Sequence, residues 1–237
     1  MLSSIIGTVP LAYTVLRYYS TIISFLKFFI LEVVLLYAFA LHFGSDIFQF
    51  IVDFLLFYSL YEIGYYLNDT IDVRTSSRTI NSNVLFQFRS KLWFRLVIVL
   101  GLSFISSAHT LYVSFFGFLL FVIFNYCRSY LIRGLLLTSM AFIRFYAVVP
   151  LFYSFDDLTK GLYVALFSFP YVLQKVFQYY IVKGVFKKSI VYHVFGVWLL
   201  IVTLCVYYVP IKILFFCAVT GFIYWILFIR GIINEKA

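Results

Sequence analysis

The sequence predicts an all-α fold, a polytopic transmembrane bundle of about eight helices arranged as two halves of four. Three observations predict it: the composition, the length of the apolar runs, and the placement of the basic residues. Of 237 residues, 65% are hydrophobic and 11% charged, with a mean hydropathy of +1.05. So much apolar surface exceeds what one water-soluble core can bury, which excludes a soluble domain. The apolar runs are continuous and about 20 residues long, enough for a helix to cross a hydrocarbon layer, whereas barrel strands are ~10 residues of alternating character. Basic residues, finally, collect in every second connection between the runs.

Helices are expected near 22–43, 46–66, 92–108, 110–126, 134–154, 161–181, 190–208 and 211–230. Arg17 and Lys27 stand at the first span; Arg74, Arg78, Arg89, Lys91 and Arg95 follow the second; Arg128 and Arg133 follow the fourth. Lys183, Lys187 and Lys188 follow the sixth, and Arg230 and Lys236 the eighth. The other connections hold Asp46, His109, Asp156, Asp157, Lys160 and Lys212. Because basic loops stay on the cytoplasmic side, both termini and the loop after the second span are expected in the cytoplasm. The net charge of +9 has the same origin. A nucleic-acid partner would need a soluble basic face, so the expected partner is the lipid bilayer and no nucleic acid.

Residues 1–237 read as a single integral membrane domain, in which 1–20 are a candidate interfacial segment. The start lacks the charged region and small-residue cleavage site of a secretory signal, so direct insertion through the first span is expected. Cys127, Cys205 and Cys217, like His42, His109 and His193, show no metal-ligand or redox spacing, and no disulfide framework or zinc site is expected.

The stretch that carries chemistry is YYLNDTIDVRTSSR, Tyr65 to Arg78, where the second apolar run meets the first cluster of charge. It holds two of the nine acidic residues of the chain. Carboxylates at a membrane boundary are costly and mark function. Asn68, Asp69 and Asp72 form N-D-x-x-D, and at helical spacing Asp69, Asp72 and position 76 share one face, which suits a hard cation. Glu62 lies two turns earlier on a similar face. Asn68-Asp69-Thr70 is formally a glycosylation sequon, but a cytoplasmic loop never meets that machinery. A second polar, cationic loop at 182–190 follows the sixth span as 68–91 follows the second, a repeat of position and not of sequence. Arg144 falls inside the fifth span, where a charge faces a cavity or a partner; Glu32, Asp53 and Glu62 are the candidates to pair with it. Aromatic walls can shelter a carbocation, yet they also fill lipid-facing positions, so no single Phe is assigned a role.

Tyr65-Tyr66-Leu67-Asn68-Asp69, continued by Thr70-Ile71-Asp72 and followed by Arg78-Thr79, resembles the UbiA superfamily of intramembrane prenyltransferases. Those enzymes carry N-D-x-x-D-x-x-x-D after the second transmembrane helix, usually with a basic residue beyond it. Asn125 to Arg133, NYCRSYLIR, is similar to the family's tyrosine-plus-basic segment between helices four and five. The resemblance implies that Mg²⁺ on the first motif binds the diphosphate of a polyprenyl donor, that a second Asp motif after the sixth helix holds another metal, and that the allylic cation alkylates an acceptor, often an aromatic ring. It also implies an apolar tunnel for the isoprenoid tail.

Carried onto this chain, the resemblance assigns Asp69 and Asp72 to catalysis, Asn68, Asp69 and Asp72 to the metal, and Asn68, Arg78, Tyr126, Arg128, Arg133, Gln174, Lys175, Gln178, Lys183 and Lys187 to substrate. Tyr126, Arg128 and Arg133 equally suit ordinary interfacial anchors. The chain departs from the family in three ways. Position 76 is Ser76; no acidic residue follows Asp157 until Glu235, so the second Asp motif is missing; and eight helices stand where nine are common. Lys183, with Lys187 or Lys188, is expected to replace the second metal by pairing directly with phosphate oxygens, or else only to enforce topology. The small acceptor is not specified. Phosphoribosyl-type transfer to a polyprenyl phosphate belongs to the same superfamily. The expectation from another class is a non-catalytic lipid-binding or transport protein, with Arg144, Lys175 and Glu32 lining a path.

Overall fold

The computed structural model describes residues 9–18, 22–75, 88–149, 156–182, 184–185, 190–205 and 209–234. Among these the regular structure is helical throughout, with no strand. In chain order the elements are α1 (Ala12–Tyr18), α2 (Ile22–Phe28), a π-helical segment (Phe29–Val34), α3 (Leu35–His42), α4 (Ile47–Thr75), α5 (Leu92–Ile105), α6 (Ala108–Tyr126), α7 (Tyr130–Tyr146), α8 (Asp156–Val182), α9 (Ile190–Cys205) and α10 (Ile211–Asn234).

Each of the eight apolar runs coincides with helix, and the differences lie at the ends. The first run is divided by the π segment. The second continues through the acidic motif to Thr75, because nothing from Tyr65 onward breaks a helix. The run expected over 134–154 starts at Tyr130 and stops at Tyr146, where 147–149 form a turn. Helix α1 has no counterpart among the expected spans; its Tyr13 and Thr14 are buried. Among the described residues two helices are long and apolar enough to cross a membrane, Ile47–Thr70 within α4 and Ala108–Tyr126.

The chain divides into two compact units, Met1–Arg128 with Ala147–Pro150, and Ser129–Tyr146 with Leu151–Ala237. The first is organised on α4, which packs most extensively against α6 and then α5. From Val52 to Tyr66 nearly every residue of α4 is buried, as befits a helix that is apolar all round. Helix α6 is built the other way. Its buried face is Thr110, Ser114, Gly117 and Phe121, while Phe115, Phe116, Leu119 and Ile123 are exposed. Small residues inward and large apolar residues outward is the pattern of a helix whose solvent is lipid. Gly64 of α4 lets the two backbones approach: a Cβ there would stand 2.7 Å from Phe121 Cγ.

The second unit is organised on α8, which packs against α7 and α10 and less against α9. Helices α7 and α8 run antiparallel, since Gly134 lies against Tyr180 at one end and Tyr146 against Gly161 at the other. Trp198 and Trp225 pack with Phe169, Leu173 and Phe177 of α8. Each unit thus has one long helix at its centre, of 29 and 27 residues, and each of these leads into one of the two polar loops noted in the sequence.

Candidate functional site at the end of the central helix

The polar residues of α4 repeat at helical spacing, so that Glu62, Tyr66 and Asp69 line one side of its C-terminal half. That side meets α1 and α5. Glu62 and Arg95 form a fully buried ion pair, Oε2 to Nη2, at 2.9 Å. Arg95 Nη2 also donates to the Val9 carbonyl at 2.8 Å, and the guanidinium lies 5.8 Å from the centre of the Phe88 ring. The other Glu62 oxygen accepts the Thr14 amide at 2.8 Å. Thr14 is the third residue of α1, which follows Leu11 at φ +73°. A leucine offers no capping oxygen, so Glu62 supplies from a neighbouring helix the acceptor that the first turn of α1 needs.

Two turns further along α4, Asp69 Oδ2 accepts the hydroxyl of Tyr13. The Tyr13 ring sits 4.8 Å from Phe88, and Phe88 stacks on Tyr66 at 5.0 Å. The result is an enclosed polar cluster inside an aromatic wall. Charges taken out of water persist only when paired and hydrogen-bonded, and both conditions are met at Glu62 and Arg95.

Of the residues expected at the metal, Asp69 is fully buried and Asn68 half-buried. Asp72 lies in the last turns of α4, but its side chain, Ser76 and Arg78 fall outside the described residues. Among the described residues no group of three His, Cys, Asp or Glu is placed to hold a metal ion. Mg²⁺ needs only one or two carboxylates when phosphate oxygens and water complete its shell, so Asp69 has the right chemistry, with one oxygen already engaged by Tyr13. An ion bound through Oδ2 would compete with that phenol.

Tyr126 and Arg128, at the end of α6, are exposed in the first unit, and Arg133 is half-buried in the first turn of α7. Gln174 and Lys175 are half-buried on α8; Gln178 is on α8 with its side chain outside the described residues, as Lys183, Lys187 and Lys188 are altogether. Asn68 and Asp69 thus belong to one unit, and Gln174 and Lys175 to the other.

Three expectations change. Arg95, counted with the loop cations, is a buried residue of α5. Glu62, a candidate partner for Arg144, is paired with Arg95. Asp53, another, accepts from Gln49 Nε2 at 3.0 Å and from the Ser107 amide at 3.1 Å, next to the first turn of α6. Glu32 accepts the hydroxyl of Tyr58, and Arg144 donates to the hydroxyl of Tyr171. Tyr13 and Arg95 are the members of the cluster that sequence reasoning does not find. A signal exists for Arg95: two opposite charges, each set inside an apolar run, on runs joined by a single connection. Apart from these groups, a wholly apolar groove of about 410 Å³ lies between α9 and α10, lined by Trp198, Leu199, Phe215, Ala218, Val219 and Phe222. No family model matches this chain, and neither a curated protein nor a solved structure matches it.

Proposed function

We propose that the chain is a multi-pass integral membrane transferase of the UbiA type, which moves a polyprenyl group from its diphosphate to an acceptor within the bilayer. What supports this is N-D-x-x-D at the end of the central helix of the first unit, with Asp69 buried two turns beyond Glu62 on the same face. Asn68, Asp69 and Asp72 would hold Mg²⁺, which would supply charge neutralisation to the diphosphate. Arg78 would add positive charge toward the leaving group. The allylic carbon–oxygen bond breaks with its electron pair going to the diphosphate, and the acceptor then bonds that carbon and loses a proton. The basic connections support a topology with both termini and the acidic loop in the cytoplasm.

The test uses the purified full chain in lipid nanodiscs with Mg²⁺ and a panel of prenyl diphosphates, reading diphosphate release. Asp69→Asn is expected to lower release by roughly a hundredfold or more, the scale for losing a group that neutralises transition-state charge. Release that chelation and Asp69→Asn leave unchanged would rule the transferase out.

One observation favours a second function, a non-catalytic lipid-binding or transport protein of the same architecture: Asp69 and Glu62 make internal contacts with Tyr13, Thr14 and Arg95. Tyr13→Phe separates the two. In the transferase it removes a competitor for the carboxylate, so half-maximal activity is reached at a lower Mg²⁺ concentration. In a binding protein it lowers thermal stability and no Mg²⁺-dependent release appears with any donor.

A further inference from the structure

Residues 9–18 are held on both sides of one left-handed residue. Leu11 has φ +73° and is, among the described residues, the only one other than glycine with positive φ. At Gly44 and Gly184 the same region is met by glycine, which has no Cβ to clash. In leucine the Cβ crowds the carbonyl that follows, which biases the residue against this conformation by roughly tenfold. Such a conformation persists only where its surroundings over-determine it. Before Leu11, the Val9 carbonyl accepts from Arg95 Nη2 at 2.8 Å. After it, Tyr13 donates to Asp69 Oδ2, and the Thr14 amide donates to Glu62 Oε1 at 2.8 Å. The Tyr13 ring lies 4.8 Å from that of Phe88, in a buried cluster with Ile63 and Tyr66. The Leu11 carbonyl begins α1 by accepting the Val15 amide at 2.8 Å, so the left-handed turn lets both anchors engage at once.

Undocking of 9–18 would divide the polar cluster where it costs least. The Glu62–Arg95 pair joins α4 to α5 and would stay intact, so neither charge would lose its counterion. Asp69 would exchange the Tyr13 hydroxyl for water, and Leu11 would return to an ordinary conformation, so part of the cost of opening is given back. Helix α4, by contrast, is buried nearly throughout from Val52 to Tyr66, and its amides open only with the unit as a whole. We infer that residues 9–18 form a strap, closed over Glu62 and Asp69 and strained at Leu11, which opens while α4 and α5 beneath it stay folded. If Asp69 serves a transferase, opening withdraws the phenol from Oδ2. That consequence rests on the transferase; the strap itself does not.

Hydrogen exchange read by mass spectrometry on the full chain in phosphatidylcholine nanodiscs compares the amides of 12–18 with those of 52–66. Neither Mg²⁺ nor a prenyl diphosphate is present, so the result does not depend on the transferase. In wild type, exchange over 12–18 is expected to be faster than over 52–66 by on the order of tenfold or more, the mark of local opening. Leu11→Gly is expected to slow exchange over 12–18 by about threefold, because relief of the left-handed penalty outweighs the greater freedom of glycine in the open strap. Leu11→Ile, β-branched and least suited to positive φ, is expected to speed it. Tyr13→Phe is expected to speed it by about tenfold, the loss typical of one charge-assisted contact. In all three variants the amides of 52–66 are expected to keep the wild-type rate, which also shows that the unit is folded. Three results would each overturn the strap: wild-type exchange over 12–18 no faster than over 52–66, equal rates over 12–18 in Leu11→Gly and Leu11→Ile, or parallel changes in both segments.

Discussion

Glu62 and Arg95 each carry a charge at a fully buried position, and each has a second duty, Glu62 at the amide of Thr14 and Arg95 at the carbonyl of Val9. Removing one partner leaves the other charge buried without its counterion, which costs about 3–5 kcal/mol. Glu62→Gln keeps the size and the acceptor for Thr14 but cancels the charge, so it isolates that cost. The expected outcome is a large fall in the thermal unfolding midpoint of the purified protein, followed by size exclusion in detergent. An unchanged midpoint would mean that the pair is solvated or relaxed and does not hold α1. The spacing of Glu62 and Asp69 on one face is legible in the sequence, because a helix fixes it at 3.6 residues per turn. Their partners are not. Counting basic residues by connection takes no account of depth, which groups Arg95 with loop residues, and the contact of Tyr13 with Asp69 joins positions 56 apart, which no local pattern encodes.

At the scale of the element, α4 and α6 show how closely the helices approach. A methyl group at Gly64 would meet Phe121 at Cγ, Cδ2 and Cβ, at 2.7, 3.0 and 3.1 Å, and the atoms nearest the Phe121 backbone cannot swing away. Gly64→Ala therefore forces the helices apart and is expected to destabilise by about 1–3 kcal/mol, the range for overpacking. At Gly101 of α5 an added methyl would have nothing within 4 Å, and Gly101→Ala is expected to be neutral or to stabilise by up to ~1 kcal/mol through helix propensity. Equal midpoints for the two variants would mean that the seam between α4 and α6 is loose enough to take a methyl group. The helices are legible from the sequence because apolar runs of this length have few alternatives. Their ends are less so: α4 carries its polar motif as regular helix to Thr75, where the change of composition suggests a loop, and the π segment at Phe29–Val34 has no compositional mark.

For the whole molecule, the surface left by packing is the main physical clue to its solvent. Trp93, Leu100 and Phe104 of α5, Tyr112, Phe115 and Phe116 of α6, and Ile211 and Phe215 of α10 are exposed, and Phe104 is 88% exposed. Contiguous apolar faces of this kind aggregate in water and are at home in hydrocarbon. The alternation of basic connections predicts a direction. Asn81 lies between α4 and α5, and Lys212 at the start of α10, so five helices separate them in the chain. If each of those helices crosses the bilayer, the two positions lie on opposite sides, with Asn81 in the cytoplasm. Single cysteines at these positions, in a background where Cys127, Cys205 and Cys217 are replaced by serine, test this with a membrane-impermeant maleimide on intact cells. Lys212→Cys is expected to label at once and Asn81→Cys only after permeabilisation. The reverse pattern would invert the protein and move the acidic motif away from a cytoplasmic supply of prenyl diphosphate and Mg²⁺; labelling of both from outside would mean that one of the intervening helices does not cross, and with it the eight-span bundle would fail.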